Sequence, residues 1–397
     1  MRKTALFLVF SILLIWATPL YAKPSITGKS AVLIDTASGQ ILYEQAKDEK
    51  LPPASTTKIL TALIAIESGR LEEMASIGPN PPKVDGTKVY LEEGEQIKLH
   101  DLVLAAMIHS ANDAALAIAE HLAGSQEEFA KLMNAKAKDL GAVNSNFVTP
   151  HGLTQEGHYT TAADLAIIGR YAMRNETFRQ IAQKKTLDWN GQAWQTRLIN
   201  INKMLWNYDG ATGVKTGYTT EAKYTIVSSA TRDNRSYLAV VLGSSGNAIW
   251  DDAEALLDYG YANFQQIKLA NPQDVVATVD LNRNSQLQLV PNQDFSLSLP
   301  IEEGKRVESQ LQLRPLQGKI AQGQIVGQMV FSVDGKEAGR VELLAANEVK
   351  PAIKLLNFFI YVGASLFFLQ MLWRSSRLLR RRRKRGLSFS SNSYHRS

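Results

Sequence analysis

The chain has 397 residues, 45% apolar and 21% charged, which excludes a disordered, collagen-like or coiled-coil protein. Its formal charge is +6, but eight Arg and one Lys crowd without an acid between Arg374 and Arg396, and Arg2 and Lys3 stand at the other extreme. The stretch between is mildly acidic, so a nucleic-acid-binding reading loses its support, and the absence of cysteine excludes disulfides, a thiolate nucleophile and cysteine-ligated metals.

In chain order, Arg2 and Lys3 precede an apolar run from Ala5 to Trp16 and then Pro19 and Ala22. That is the layout of a secretory signal over residues 1–22, cleaved after Ala22, although Leu20 stands where a smaller residue is commoner. An uncleaved anchor is the competing reading, for which the apolar run is short. Residues 23–265 form the first predicted domain. Ala31 to Asp35 and Gln40 to Tyr43 read as strands across the turn Ala37-Ser38-Gly39. Helical spacing follows in Ser55 to Ile66, Leu99 to His121 and Gln126 to Leu140. Tyr224 to Ala230 and Tyr237 to Leu242 read as a hairpin over Thr231 to Ser236, and a helix from Asp251 to Phe264 closes the unit. The class is α+β, with helices on a mainly antiparallel sheet.

Residues 266–348 change to short alternating runs, Val275 to Val279, Gln286 to Val290, Phe295 to Leu299 and Val326 to Val333, which predict a small all-β domain. It carries no titratable cluster that suggests chemistry and reads as a spacer. Leu355 to Trp373 is uncharged and long enough to cross a bilayer, giving a predicted C-terminal transmembrane helix over residues 353–373, with an interfacial helix as the alternative. The run Arg380 to Arg385 behind it places residues 374–397 in the cytoplasm as a basic tail against anionic lipid. The bulk of the chain is then exported and tethered to the cell membrane, outside the cytoplasm.

Three short motifs carry the chemistry: Ser55-Thr56-Thr57-Lys58, Ser110-Ala111-Asn112 and Lys215-Thr216-Gly217. An S-x-x-K alone arises about once by chance in a chain of this length. Order and setting are more specific, since the second motif follows Ser55 by 55 residues and the third follows Ser110 by 105. The first opens a predicted helix, the second interrupts a helical region and the third begins a predicted strand. In these motifs the sequence resembles the serine penicillin-recognising enzymes, whose three elements line one cleft in a β-lactamase/transpeptidase-like domain. Over residues 28–262 it is most similar to the D-alanyl-D-alanine carboxypeptidases, the low-molecular-mass penicillin-binding proteins. Pro53 to Lys58, Ser110 to Ala114, Thr149-Pro150-His151-Gly152-Leu153 and Gly213 to Thr219 carry that resemblance.

The resemblance implies removal of the terminal D-alanine from peptidoglycan pentapeptide stems through an acyl-enzyme on Ser55, with β-lactams acylating the same hydroxyl and no cofactor or metal. Ser55 is expected in the first turn of its helix, where free N–H groups favour a developing oxyanion. Lys58, three residues on, lies over the same face as proton acceptor, its charge suppressed by burial and by Lys215. Ser110 relays the proton to the leaving nitrogen and Asn112 holds Lys58 and a substrate amide. Lys215 and Thr216 bind a substrate carboxylate, Gly217 lets a peptide lie along the strand edge, and the N–H groups of Ser55 and Tyr218 form the oxyanion hole.

Other readings stay open. Many relatives place an arginine or threonine where this chain has Ile201, between Asn200 and Asn202, which leaves Lys215 as the main carboxylate cation. His151 reads as a structural loop residue, and the six histidines show no metal-ligand spacing. A class A β-lactamase would need a carboxylate beyond the second motif, and Asn144 to Leu153 has none. A DD-endopeptidase or transpeptidase differs only in leaving group or acceptor, and a wall-binding scaffold would have no use for a nucleophile beside two amines.

Overall fold

The computed structural model describes residues 23–282, 285–301, 307–316 and 319–349. The predicted signal segment 1–22, the membrane helix 353–373 and the tail 374–397 lie outside the described residues. Among the described residues no helix is long and apolar enough to cross a membrane.

The first part of the chain runs through β1 (Ser30–Asp35), β2 (Ile41–Gln45), a 3-10 turn (Ala54–Thr57), α1 (Lys58–Glu67), β3 (Met74–Ser76), β4 (Gln96–Lys98), α2 (Leu99–Ile108), α3 (Asn112–Ala123) and α4 (Gln126–Asp139). It continues with α5 (Ala162–Ala172), α6 (Glu176–Ala182), β5 (Thr186–Asn190), β6 (Gln195–Ile199), α7 (Met204–Asn207), β7 (Ala211–Thr219), β8 (Lys223–Arg232), β9 (Arg235–Ser244) and α8 (Ala248–Asn263). One antiparallel sheet in the order β2-β1-β9-β8-β7 organises it. Side chains alternate across a strand, so Val32, Ile34, Leu238 and Val240 enter the core shared with α1 to α6, while Ala31, Leu33, Ala239 and Val241 enter the core under α8. Both faces are covered by helices, which is why every residue of β1 is buried. This is the expected α+β architecture, and β7, carrying the third motif, is an edge strand.

Several boundaries differ from expectation, each for a local reason. Ser55 sits in the 3-10 turn ahead of α1 and not in the helix itself, because Ala54 has φ +49° and the turn is tied by Thr56 and Thr225, whose hydroxyls both donate to Pro53 O. The region from Leu99 to His121 is two helices, broken where Ser110 takes φ +66°. The β8–β9 turn shrinks to Asp233 and Asn234, both left-handed, as a two-residue hairpin connection with right-handed strand twist requires. The last helix starts three residues earlier than expected, at Ala248, and Phe264 already belongs to the next strand. Lys215-Thr216-Gly217 lies in the second half of β7 instead of at its start, since pairing with β8 begins at Ala211.

The second part is all-β, as expected: β10 (Phe264–Ala270), β11 (Ala277–Asn282), β12 (Ser285–Pro291), β13 (Phe295–Pro300), β14 (Val307–Leu313), β15 (Ile325–Val333) and β16 (Lys336–Ala345). They form sheets β10-β13 and β11-β12-β16-β15-β14, with Leu287, Leu289 and Leu343 in one core and Phe295, Leu297 and Val341 in another. At the junction with the first part, Ser298 Oγ donates to the buried Asp35 carboxylate and Ile301 N donates to Asn263 O.

Candidate active site

The first two motifs meet at one amine, and the third lies against the Ser55 turn through Gly217. Lys58, the first residue of α1, is fully buried, and its Nζ lies 3.0 Å from Ser55 Oγ, 2.7 Å from Asn112 Oδ1 and 2.8 Å from the carbonyl oxygen of His151. The Asn112 amide is oriented from its other end, where Nδ2 donates to Asp85 O at 2.7 Å, so the oxygen must face the lysine. Burial, and then the nearby Lys215, hold the Lys58 amine well below the ordinary lysine range. Burial lowers Lys215 to about 7. Its Nζ donates to Thr216 O at 2.9 Å.

Ser55 is half-buried and its backbone N–H has no acceptor among the described residues. Gly217 explains how β7 comes so close to it, because a Cβ added there would lie 2.6 Å from Ser55 N and 2.6 Å from Thr225 Oγ1. Tyr218, the next residue, is exposed, and Thr216 is half-buried. The Ser110 side chain is buried and makes no hydrogen bond among the described residues, where the sequence reading gave it a relay role.

Four supports escaped the sequence reading. The His151 carbonyl is the third partner of the Lys58 amine, a backbone role for a residue read as a structural loop position. Its imidazole is buried, lowered to about 3 by burial and by Lys58, and Nδ1 accepts from Leu153 N, so it is a neutral brace. Gly152 has φ +88°, and an added Cβ would fall 1.8 Å from Ala54 O, so only glycine lets this loop touch the Ser55 turn. His158 Nδ1 accepts from Val148 N and Thr149 N, which leaves Nε2 to donate to Thr57 Oγ1 at 3.0 Å. The buried Asp113 carboxylate accepts from Val89 N and Leu91 N and so fixes the segment whose Asp85 carbonyl orients Asn112. Asp113 and His151 did stand inside motifs that were read, but nothing local assigns them these partners.

The family of D-alanyl-D-alanine carboxypeptidases matches residues 18–246, and the penicillin-binding protein 5 C-terminal domain matches residues 264–351. The chain belongs to the D-alanyl-D-alanine carboxypeptidases. It is 33% identical over 344 residues to D-alanyl-D-alanine carboxypeptidase DacF of Bacillus subtilis, covering 82% of this chain and 86% of that one. It is 32% identical to DacC of Escherichia coli, with 82% and 85% covered. Among solved structures, penicillin binding protein 5 from Haemophilus influenzae matches with a TM-score of 0.72 at 31% identity, over 83% of this chain and 99% of that one.

In this carboxypeptidase, Gly217→Ala is expected to push β7 off the Ser55 turn. Misplacement of order 1 Å at a reacting centre costs about 10²-fold. D-alanine release should fall by that factor and the thermal midpoint by several degrees, since overpacking a buried contact costs about 1–3 kcal/mol, measured by a coupled D-alanine assay beside a melting curve.

Proposed function

We propose that this carboxypeptidase removes the terminal D-alanine from peptidoglycan pentapeptide stems through an acyl-ester on Ser55. The observation that carries the reading is the set of partners around Lys58 Nζ. A neutral amine has two N–H donors and one lone pair. The carbonyls of Asn112 and His151 can only accept, so they take both N–H groups, and the lone pair is left facing the one partner able to donate, the Ser55 hydroxyl.

Lys58 takes the Ser55 proton as Oγ attacks the carbonyl carbon of the penultimate D-alanine, and the N–H groups of Ser55 and Tyr218 receive the oxyanion. Ser110 passes the proton on to the leaving nitrogen, the C–N bond breaks and D-alanine departs. Water then attacks the ester, gives a proton to Lys58, and Ser55 Oγ recovers one as the C–O bond breaks. Asn112 holds the base and the substrate amide, Lys215 and Thr216 hold the terminal carboxylate, and Gly217 lets the peptide lie against the free edge of β7. β-Lactams acylate the same oxygen. A β-lactamase reading is disfavoured because Asn144 to Leu153 offers no carboxylate to activate water and Asp113 is committed to backbone N–H groups.

The signal segment, the C-terminal membrane helix and the basic cytoplasmic tail complete the proposal, holding the catalytic domain outside the cytoplasm. Residues 23–265 act as the catalytic unit and residues 266–348 as the spacer. Incubating the full chain with a diacyl-Lys-D-Ala-D-Ala peptide and with labelled penicillin tests the reaction: released D-alanine and one long-lived adduct per chain are expected. Neither product, or rapid penicillin turnover, overturns it.

The two lowered amines give a pH signature. At low pH Lys58 is protonated and no base exists, so kcat/KM rises as Lys58 loses its proton. Above about 7 Lys215 loses its charge in the free enzyme, so kcat/KM for a substrate with a free carboxylate falls. Bound carboxylate favours the charged lysine, so the falling limb in kcat lies at higher pH. With a C-terminally amidated substrate the falling limb should vanish.

A further inference from the structure

A second polar cleft lies at the junction of the two parts of the chain, apart from the Ser55 site. With a volume of about 720 Å³, it is lined by the β1–β2 turn, the end of α5, the start of α6, the backs of β7 and β8, and the edges of β13 and β16. Four arginines line it, Arg170, Arg174, Arg179 and Arg340. Among the described residues, Arg340 alone of the four has a carboxylate partner, Glu337. Arg170 donates from Nε to Thr36 O and from Nη2 to Ala37 O, and Arg179 donates from Nη1 to the carbonyls of Met173 and Arg174. These are neutral acceptors: the Asp35 carboxylate gives Arg170 a partial counter-charge without pairing with it, and Arg179 makes no ion pair among the described residues. The Arg174 side chain makes no hydrogen bond or ion pair among the described residues, and the residue is exposed.

The acids nearby are already engaged. Asp294 pairs with Lys268 at 2.9 Å and Glu337 with Arg340, while Asp35 is held by the neutral donors Ser38 N and Ser298 Oγ and offsets part of the Arg170 charge from a distance. Burial, and then Arg174, bring Arg170 down to about 10 against the opposing pull of Asp35, so the local counter-charge does not offset burial and the neighbouring guanidinium. Hydroxyls complete the lining: Thr212 Oγ1 is buried without a hydrogen-bond partner among the described residues, and Ser229 is buried beside it on the paired strand.

We propose that this cleft is a binding site for a phosphate-bearing anion, held by Arg170, Arg174 and Arg179 with the Thr212 and Ser229 hydroxyls. Guanidinium forks match phosphate oxygens in pairs, and three of them with spare N–H donors suit three or four oxygens better than the two of a carboxylate. The site is independent of the acylation chemistry, so its test does not depend on that reading.

The full chain is titrated calorimetrically at pH 7 with inorganic phosphate, glycerol 3-phosphate and glycerophosphoglycerol. Saturable binding of at least one is expected, with a dissociation constant of order 1 mM. Preference for the first two assigns a monoester site, and preference for the third a phosphodiester polymer. Arg174→Gln, whose side chain holds no other group, and Arg174→Gln/Arg179→Gln should weaken binding about tenfold or more while D-alanine release stays at the wild-type rate. No saturable binding by any of the three, or equal affinity in folded wild type and variants, overturns the proposal.

Discussion

Ser55→Ala is expected to reduce D-alanine release by ~10⁴-fold or more and to eliminate the covalent penicillin adduct, because removal of a nucleophile from a catalytic unit costs nearly everything that unit supplies. The fold should survive. The Ser55 hydroxyl touches only the Lys58 amine among the described residues, it is half-buried, and loss of one such hydrogen bond costs about 1 kcal/mol. Lys58 retains Asn112 and His151, and Lys215 keeps its position on β7, so the carboxylate site persists and penicillin should still bind reversibly. Intact-protein mass spectrometry after incubation with penicillin separates these outcomes. An adduct of undiminished yield in Ser55→Ala would move the nucleophile elsewhere, with Ser110 the next hydroxyl to examine.

What the sequence disclosed was whatever is local. Strands buried on both faces, such as Ser30–Asp35, carry apolar runs, and each motif is a short local pattern that the order and spacing of all three along the chain make specific. What it concealed was closure between distant segments. Nothing at Gly152 says that its missing side chain makes room for Ala54 O, and nothing at Asp113 says that it holds Val89 and Leu91. Those are steric and hydrogen-bonding facts of a folded chain, without periodicity. The misplaced start of the first helix belongs to the same class. Ala54 adopts φ +49° because Pro53 O is held by Thr225 from β8, a contact 172 residues away in sequence. The serine is therefore presented by tertiary ties and not by helix propensity.

Replacing Lys58 tests the remaining half of the chemistry, and stability offers a readout that activity cannot. Lys58→Met fills a similar volume without the amine, and D-alanine release should fall by at least ~10³-fold, a loss typical of a missing general base or more. Burial and Lys215 lower the folded-state pKa of Lys58, whereas the unfolded chain keeps a value near 10.5. Between those values the unfolded state binds more protons than the folded state, so wild-type stability rises with pH through that window, by up to about 1.4 kcal/mol per pH unit from this one group. Lys58→Met removes that contribution and should flatten the stability curve by the same amount. Lys215, lowered by burial alone, keeps its own share in both proteins. Denaturant unfolding of wild type and variant at pH 7, 8 and 9 measures the difference in slope. If the two curves run parallel while activity is lost, the Lys58 amine is charged in the resting enzyme, and Ser55 must give its proton to another group.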